Sequence, residues 1–252
     1  MANIEVTGVI TALGVFAFHN RDEGWTLGFH LKPWRFKDGD LVFSELRVTK
    51  PMSESDIAEV KSRIDALSAV SVMISDMEDF YEGRKKAVLD QIANPSIDDA
   101  EFNLIVHKLR QPVEFLHPVL GRFLLDRRVN TFEGEYEYEG NKFAICLDSH
   151  NDAPIPEQLV ILESIIADIK NYNVKAMNFA AKKLLPVKND GWVDDTSDVV
   201  TETEFVERMT LSSVNVTLEK QITFFYDDGD LFYGHSIFTS GVFGEGFNDA
   251  RF

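Results

Sequence analysis

Apolar and polar residues alternate from Trp25 to Leu31, where Trp25, Leu27, Phe29 and Leu31 are separated by Thr26, Gly28 and His30. A period of two predicts a strand with one buried face. The Lys37-Asp38-Gly39-Asp40 turn leads into Leu41-Val42-Phe43, Leu46 and Val48, a returning strand that Pro51 stops. Ser53, with Asp56 three residues on, caps a helix in which Ile57, Val60, Ile64 and Leu67 recur at helical spacing. Residues 69–74 read as one more buried strand. The segment 1–75 is therefore expected to be a small β-sheet with a packed helix.

Residues 76–112 read as a charged helical connection. Phe80, Val88, Leu89 and Ile92 form a sparse stripe, Asn94-Pro95-Ser96 breaks it, and Phe102, Ile105, Val106 and Leu109 form the next. The segment 113–252 opens with a hairpin. Phe132 to Glu139 alternates for eight residues, Gly140-Asn141 turns the chain, and Phe143, Ile145 and Leu147 return on one face. Pro156 suits a first helical turn, and Leu159, Leu162, Ile165, Ile166 and Ile169 then make an amphipathic stripe. Val174, Met177, Ala181 and Leu184 make a second. Thr201 with Glu204 forms a capping box, and residues 214–217, 222–226 and 231–239 read as strands. Strands, helices and strands in blocks give an α+β fold, ending in an antiparallel sheet covered by two helices.

Charge narrows the function classes. With 42 Asp and Glu against 25 Lys and Arg, the net charge is −17, which argues against nucleic acid held through its phosphates. One cysteine, Cys146, excludes an intrachain disulfide and suits a reducing compartment. No stretch reads as a secretory leader or a membrane span, so a cytoplasmic chain without a membrane partner is expected. Phosphate loops, a Gly-x-Ser-x-Gly elbow and His-Glu-x-x-His are absent from the sequence.

Two polar clusters carry candidate chemistry. Asp228, Asp230 and His235 lie within eight residues and suggest a metal-dependent hydrolase; no full metal-ligand set accompanies them, and a turn followed by a strand competes with that reading. In the extended reading Leu231, Tyr233, His235 and Ile237 share a face. Cys146 and His150 could form half a zinc site or a nucleophile pair, although the alternation makes Cys146 a small buried thiol. The Asp-Gly-Asp-Leu of 38–41 recurs at 228–231, where glycine would supply the turn conformation. Residues 188–204 read as an acidic loop exposing Trp192.

The second half resembles a bacterial domain of unknown function, number 2262. The resemblance runs through His117-Pro118, Gly121-Arg122-Phe123, Asp126-Arg127-Arg128 and Phe132-Glu133-Gly134 with its Gly140 hairpin. It continues through Ala180 to Leu185, Trp192, and Thr203, Glu204 and Glu207 around Phe205. Its most specific stretch is Asp228 to Ile237. Tyr233, and Tyr136 or Tyr138, stand where usual members carry Trp. The resemblance spans about residues 115–240 and implies a bacterial cytosolic protein, with no activity or cofactor attached to it.

The expectation is a non-enzymatic, acidic, immunity- or antitoxin-like module that binds a basic protein. Glu135 and Glu137 supply the charge and Trp192 and Tyr136 the apolar anchors. Neither a metal nor a cofactor is expected. The alternative is the hydrolase built on Asp228, Asp230 and His235.

Overall fold

The computed structural model describes residues 3–21, 24–150, 152–193 and 199–252. The chain divides into two compact units, residues 1–112 with 127–129, and residues 113–126 with 130–252.

The N-terminal unit runs β1 (Ile4–Ile10), β2 (Phe16–Asn20), β3 (Gly24–Phe36), β4 (Leu46–Pro51), α1 (Glu54–Arg63), β5 (Ala69–Asp79), β6 (Lys85–Asn94) and α2 (Ala100–Arg110). Strand order β1-β5-β6-β4-β3 closes on itself, because β3 also pairs with β1. Only β4 and β6 run parallel; the other pairs are antiparallel. A helix joins the third and fourth strands of the circuit, and β2 flanks β3. This is a closed five-strand barrel of the OB type. Its interior is filled by Leu27, Phe29, Leu31, Leu46, Val48, Val72, Ile74 and Leu89, each at most 2% exposed. The Ser53 hydroxyl caps α1 by accepting from the Asp56 N–H at 3.2 Å, and Ile57 and Val60 are its buried residues.

The expected helical connection over 76–112 is corrected. β5 continues to Asp79 and β6 occupies Lys85–Asn94, so only α2 is an α-helix there. A helical stripe would put Val88 and Leu89 on one side. In β6 they point to opposite faces, Leu89 at 2% exposure and Val88 at 38%. Pairing on both sides with β4 and β5 decides the period, and neither partner is close in sequence. The returning strand is also shorter than expected: Val42 makes one isolated bridge to Trp34, and regular pairing begins at Leu46.

The C-terminal unit runs β7 (Glu114–His117), β8 (Gly121–Asp126), β9 (Thr131–Tyr138), β10 (Asn141–His150), β11 (Ala153–Pro154), α3 (Pro156–Ala167), α4 (Ile169–Gly191), α5 (Glu202–Arg208), β12 (Thr210–Val216), β13 (Gln221–Asp227), β14 (Ile237–Val242) and β15 (Gly246–Arg251). The sheet order is β15-β14-β13-β12-β10-β9-β8-β7, with β11 beside β10. One pair, β10 with β12, is parallel; α3, α4 and α5 lie between β10 and β12 in the chain. Phe132, Phe143, Ile145, Leu147, Leu162, Ile165, Ala180, Ala181, Phe205 and Phe224 share one core, so α3 and α4 cover one face of the sheet.

The β9–β10 hairpin turns at Glu139-Gly140, one residue before the expected pair, with φ of 51° and 81°. Both central residues are left-handed, as a type I′ turn requires. The chain is thus α+β. Among the described residues, no helix is long and apolar enough to cross a membrane.

Candidate functional site

The stretch Asp228 to His235 is a tight loop between β13 and β14, not the expected strand; regular pairing starts only at Ile237. Asp228 is the reason. Its carboxylate, 5% exposed, accepts from the Asp230 N–H at 3.1 Å, the Phe232 N–H at 2.6 Å and the Gly234 N–H at 3.1 Å. These bonds fold the chain back on itself and hold Gly229, Asp230, Tyr233 and Gly234 at positive φ. Non-glycine residues adopt that region only when the surroundings over-determine it. Gly229 is forced twice, because a Cβ there would also lie 2.4 Å from the Arg208 carbonyl oxygen. The earlier Asp-Gly turn differs: Asp38, not Gly39, takes the left-handed conformation at 57°.

The loop buries Leu231 and Phe232 and exposes Tyr233 and His235. Trp192 meets Phe232, Tyr233, His235 and Phe252 at ring-centroid distances of 5.7, 5.4, 5.8 and 5.1 Å. Phe252 stacks on Phe232 at 3.9 Å. Trp192 is therefore half-buried, and the expected exposed loop is corrected at its start, since α4 continues through Lys188 to Gly191. The Lys188 ammonium, 4% exposed, donates to the Trp192 carbonyl at 2.6 Å, placing a cation at the helix C-terminus where the macrodipole favours it. Asp194, Asp195 and Asp198 of that stretch lie outside the described residues.

For the hydrolase alternative, Asp228 would need a free oxygen; three backbone N–H groups engage both. Asp230 and His235 are exposed, and no group of three or more His, Cys, Asp or Glu able to hold a metal ion occurs among the described residues. Cys146 offers no nucleophile either. Burial, with the nearby Glu133 carboxylate, pushes its thiol up to about 12, so the reactive thiolate is scarce at neutral pH.

The glutamates of β9 form a different kind of site. Glu133, Glu135 and Glu137 are exposed on the sheet face opposite the helices. In register with them on β10 stand Cys146, Ala144 and Lys142. Lys142 bonds diagonally to Glu135 at 2.7 Å, and that carboxylate holds the lysine's pKa above its ordinary value. Among the described residues Glu133 and Glu137 have no ion-pair partner. Tyr136 lies on the inner face, 6.0 Å from Phe143 between ring centroids, so it does not share the face of Glu135 and Glu137 as expected. Among the described residues of this unit, Tyr233 is an exposed aromatic, at 57%. Its left-handed backbone has no signature in an alternating stretch, whereas Asp-Gly two turns earlier in the same loop does carry one.

Comparison with known proteins adds family membership and no activity. No match is found among curated proteins. A solved structure described as "Structure of murine DNA binding protein bound with ds DNA" aligns at 7% identity over 60% of this chain and 76% of that chain. Its TM-score of 0.24 is too low to bear on fold or function. Residues 2–109, which hold the barrel, match a domain of unknown function, DUF7021. Residues 117–252, more than half of the chain, match the model described as "Uncharacterized protein conserved in bacteria (DUF2262)", so the chain belongs to this bacterial family.

Proposed function

We propose that the protein is a non-enzymatic binding module whose C-terminal sheet takes a basic protein partner, in the manner of an immunity or antitoxin protein of the bacterial cytoplasm. The observation that carries this reading is the row Glu133, Glu135 and Glu137 exposed on one sheet face, of which, among the described residues, only Glu135 is ion-paired, to the Lys142 that also faces Glu137. Like charges two apart on one strand face repel, so the row costs stability in the free chain. A partner's Lys and Arg remove that cost, and the acidic field speeds encounter. Trp192 and Tyr136 are packed into the unit, so the contact rests on the carboxylates.

The test is affinity capture from the native host at low and high salt, with the Glu133→Gln/Glu135→Gln/Glu137→Gln variant in parallel. A basic protein should be retained, released by salt, and lost with the variant. A chain that retains no basic protein at low salt, or retains it equally well without the three carboxylates, refutes the reading.

A further inference from the structure

The outer face of the N-terminal barrel combines aromatic rings and cations in a chain whose net charge is strongly negative. Strand register sets the side chains of β2, β3, β4 and β6 in rows. Phe18 stands beside Thr26 and Pro51, and Phe16 beside Gly28, Thr49 and Val88. His30 stands beside Arg47 and Lys86. Gly28 shapes the surface: a Cβ there would lie 2.4 Å from the Phe16 ring, so the ring lies down over the bare backbone of β3. Phe16 and Phe18 stack at 6.5 Å and 29°, and the Arg47 guanidinium sits 5.7 Å from the Phe18 ring centre. At the β5–β6 turn, Lys86 lies 5.5 Å from the Phe80 ring centre, and Tyr81 is 68% exposed.

The interior of the barrel is already filled, so Phe18 at 38%, Phe80 at 40% and Tyr81 stay in water although burial would favour them. The charge around them is balanced, not acidic: Arg47, Arg84, Lys85 and Lys86 stand with Glu45, Glu78, Asp79 and Glu82. On β4, Arg47 lies on this face, whereas Lys50 is in register with the buried Leu27 and donates to the Asp90 carbonyl at 2.6 Å; Arg84 precedes β6, which Lys85 and Lys86 open. Arg47 has no carboxylate partner among the described residues. Lys85 and Lys86 pair with Asp79 and Glu78, and Arg84 with Glu45 and Glu82, all at the surface. Such pairs hold little energy and yield readily to a better anion.

We propose that this face binds single-stranded nucleic acid, its bases stacking on Phe16, Phe18 and Tyr81 and its phosphates meeting Arg47 and Lys86. Rings beside unpaired or weakly paired cations suit a ligand with both π-faces and negative charge, which a single strand offers and a duplex, with its bases stacked inside, does not. The overall acidity that argues against nucleic acid for the chain as a whole does not describe this face.

The experiment is fluorescence anisotropy of the full chain with labelled oligothymidylate and oligouridylate of about 16 nucleotides. Saturable binding is expected at about 50 mM salt, weakening toward about 200 mM, and the tighter of the two probes separates DNA from RNA. Arg47→Gln and Phe18→Ala should each weaken binding about tenfold. Tyr81→Ala should weaken it too while leaving the thermal midpoint unchanged, which separates lost stacking from lost fold. The proposal is overturned by the absence of any anisotropy change at low salt, by equal competition from duplex DNA, or by binding that survives Arg47→Gln combined with Tyr81→Ala. Saturable binding of a neutral oligosaccharide with no response to either oligonucleotide also overturns it.

Discussion

Asp228 sits 5% exposed with both carboxylate oxygens engaged by main-chain N–H groups, and two non-glycine residues of the loop it braces stand at positive φ. Asp228→Ala removes every one of those acceptors and leaves buried donors unsatisfied, at a cost of about 3 kcal/mol. Asp228→Asn keeps an acceptor oxygen and should lose less. Denaturant midpoints of the two variants order them, and an unchanged midpoint for the alanine variant would contradict the bracing role. Gly229→Ala is expected to be as damaging as Asp228→Ala, since it meets both the Arg208 carbonyl and the left-handed backbone. Cys146 gives a chemical counterpart. With its thiol pushed up to about 12, alkylation of the folded chain at pH 8 should run on the order of a thousandfold slower than for an ordinary thiol. Denaturant should restore the rate, and rapid labelling of the native chain would show that the thiol is neither buried nor raised.

At the scale of elements, the parts legible in the sequence are those whose hydrogen bonds close locally. Ser53 and Thr201 cap helices at the positions their spacing indicates, and the Phe132–Leu147 hairpin closes through a two-residue turn. Residues 76–94 were illegible because β5 and β6 pair across bulges and β6 runs parallel to a strand about 40 residues earlier; no local period records either fact. The barrel itself was hidden for the same reason, its closure depending on β1 meeting both β3 and β5. At the candidate site, the exposed glutamates follow from simple alternation, whereas the Asp228 loop overrides the alternation that Leu231, Tyr233, His235 and Ile237 suggest. Glu45, just before β4, joins elements that are distant in sequence: it faces His30 of β3 at 3.4 Å and Arg84 before β6 at 3.5 Å. The hydrogen bond with His30, helped by the positive charges of His30, Arg84 and Lys32, holds its carboxyl below the ordinary glutamate value against the opposing effect of burial. A depressed carboxyl stabilises the fold above its unfolded pKa of about 4.3 and loses that contribution as pH falls through the folded value. The barrel should therefore weaken in acid, and Glu45→Gln should flatten that limb of the stability–pH curve. An acid limb identical in both proteins would remove Glu45 as its cause.

Across the whole molecule the charge is divided unevenly. Residues 113–252 carry 24 Asp and Glu against 12 Lys and Arg, whereas residues 1–112 carry 18 against 13. Self-repulsion in the C-terminal half opposes compactness, and raising salt from about 0.01 to about 0.1 M shortens the screening length from about 30 to about 10 Å. The thermal midpoint of the chain should accordingly rise with salt. Neutralising Glu133, Glu135 and Glu137 removes part of the repulsion, so the triple glutamine variant should start from a higher midpoint and gain less on adding salt. Binding responds with the opposite sign: screening weakens the acidic sheet's hold on a basic protein and the barrel face's hold on an oligonucleotide. The three carboxylates separate the two binding effects further. Their removal should abolish capture of the basic partner while leaving oligonucleotide anisotropy as it was, because the rings and Arg47 that serve the nucleic acid belong to the other unit. A triple variant that gains stability yet keeps its basic partner would mean that the repulsion is real and the surface is not where that partner docks. A midpoint falling with salt would mean that the surface ion pairs, not the excess acids, dominate the electrostatics of the chain.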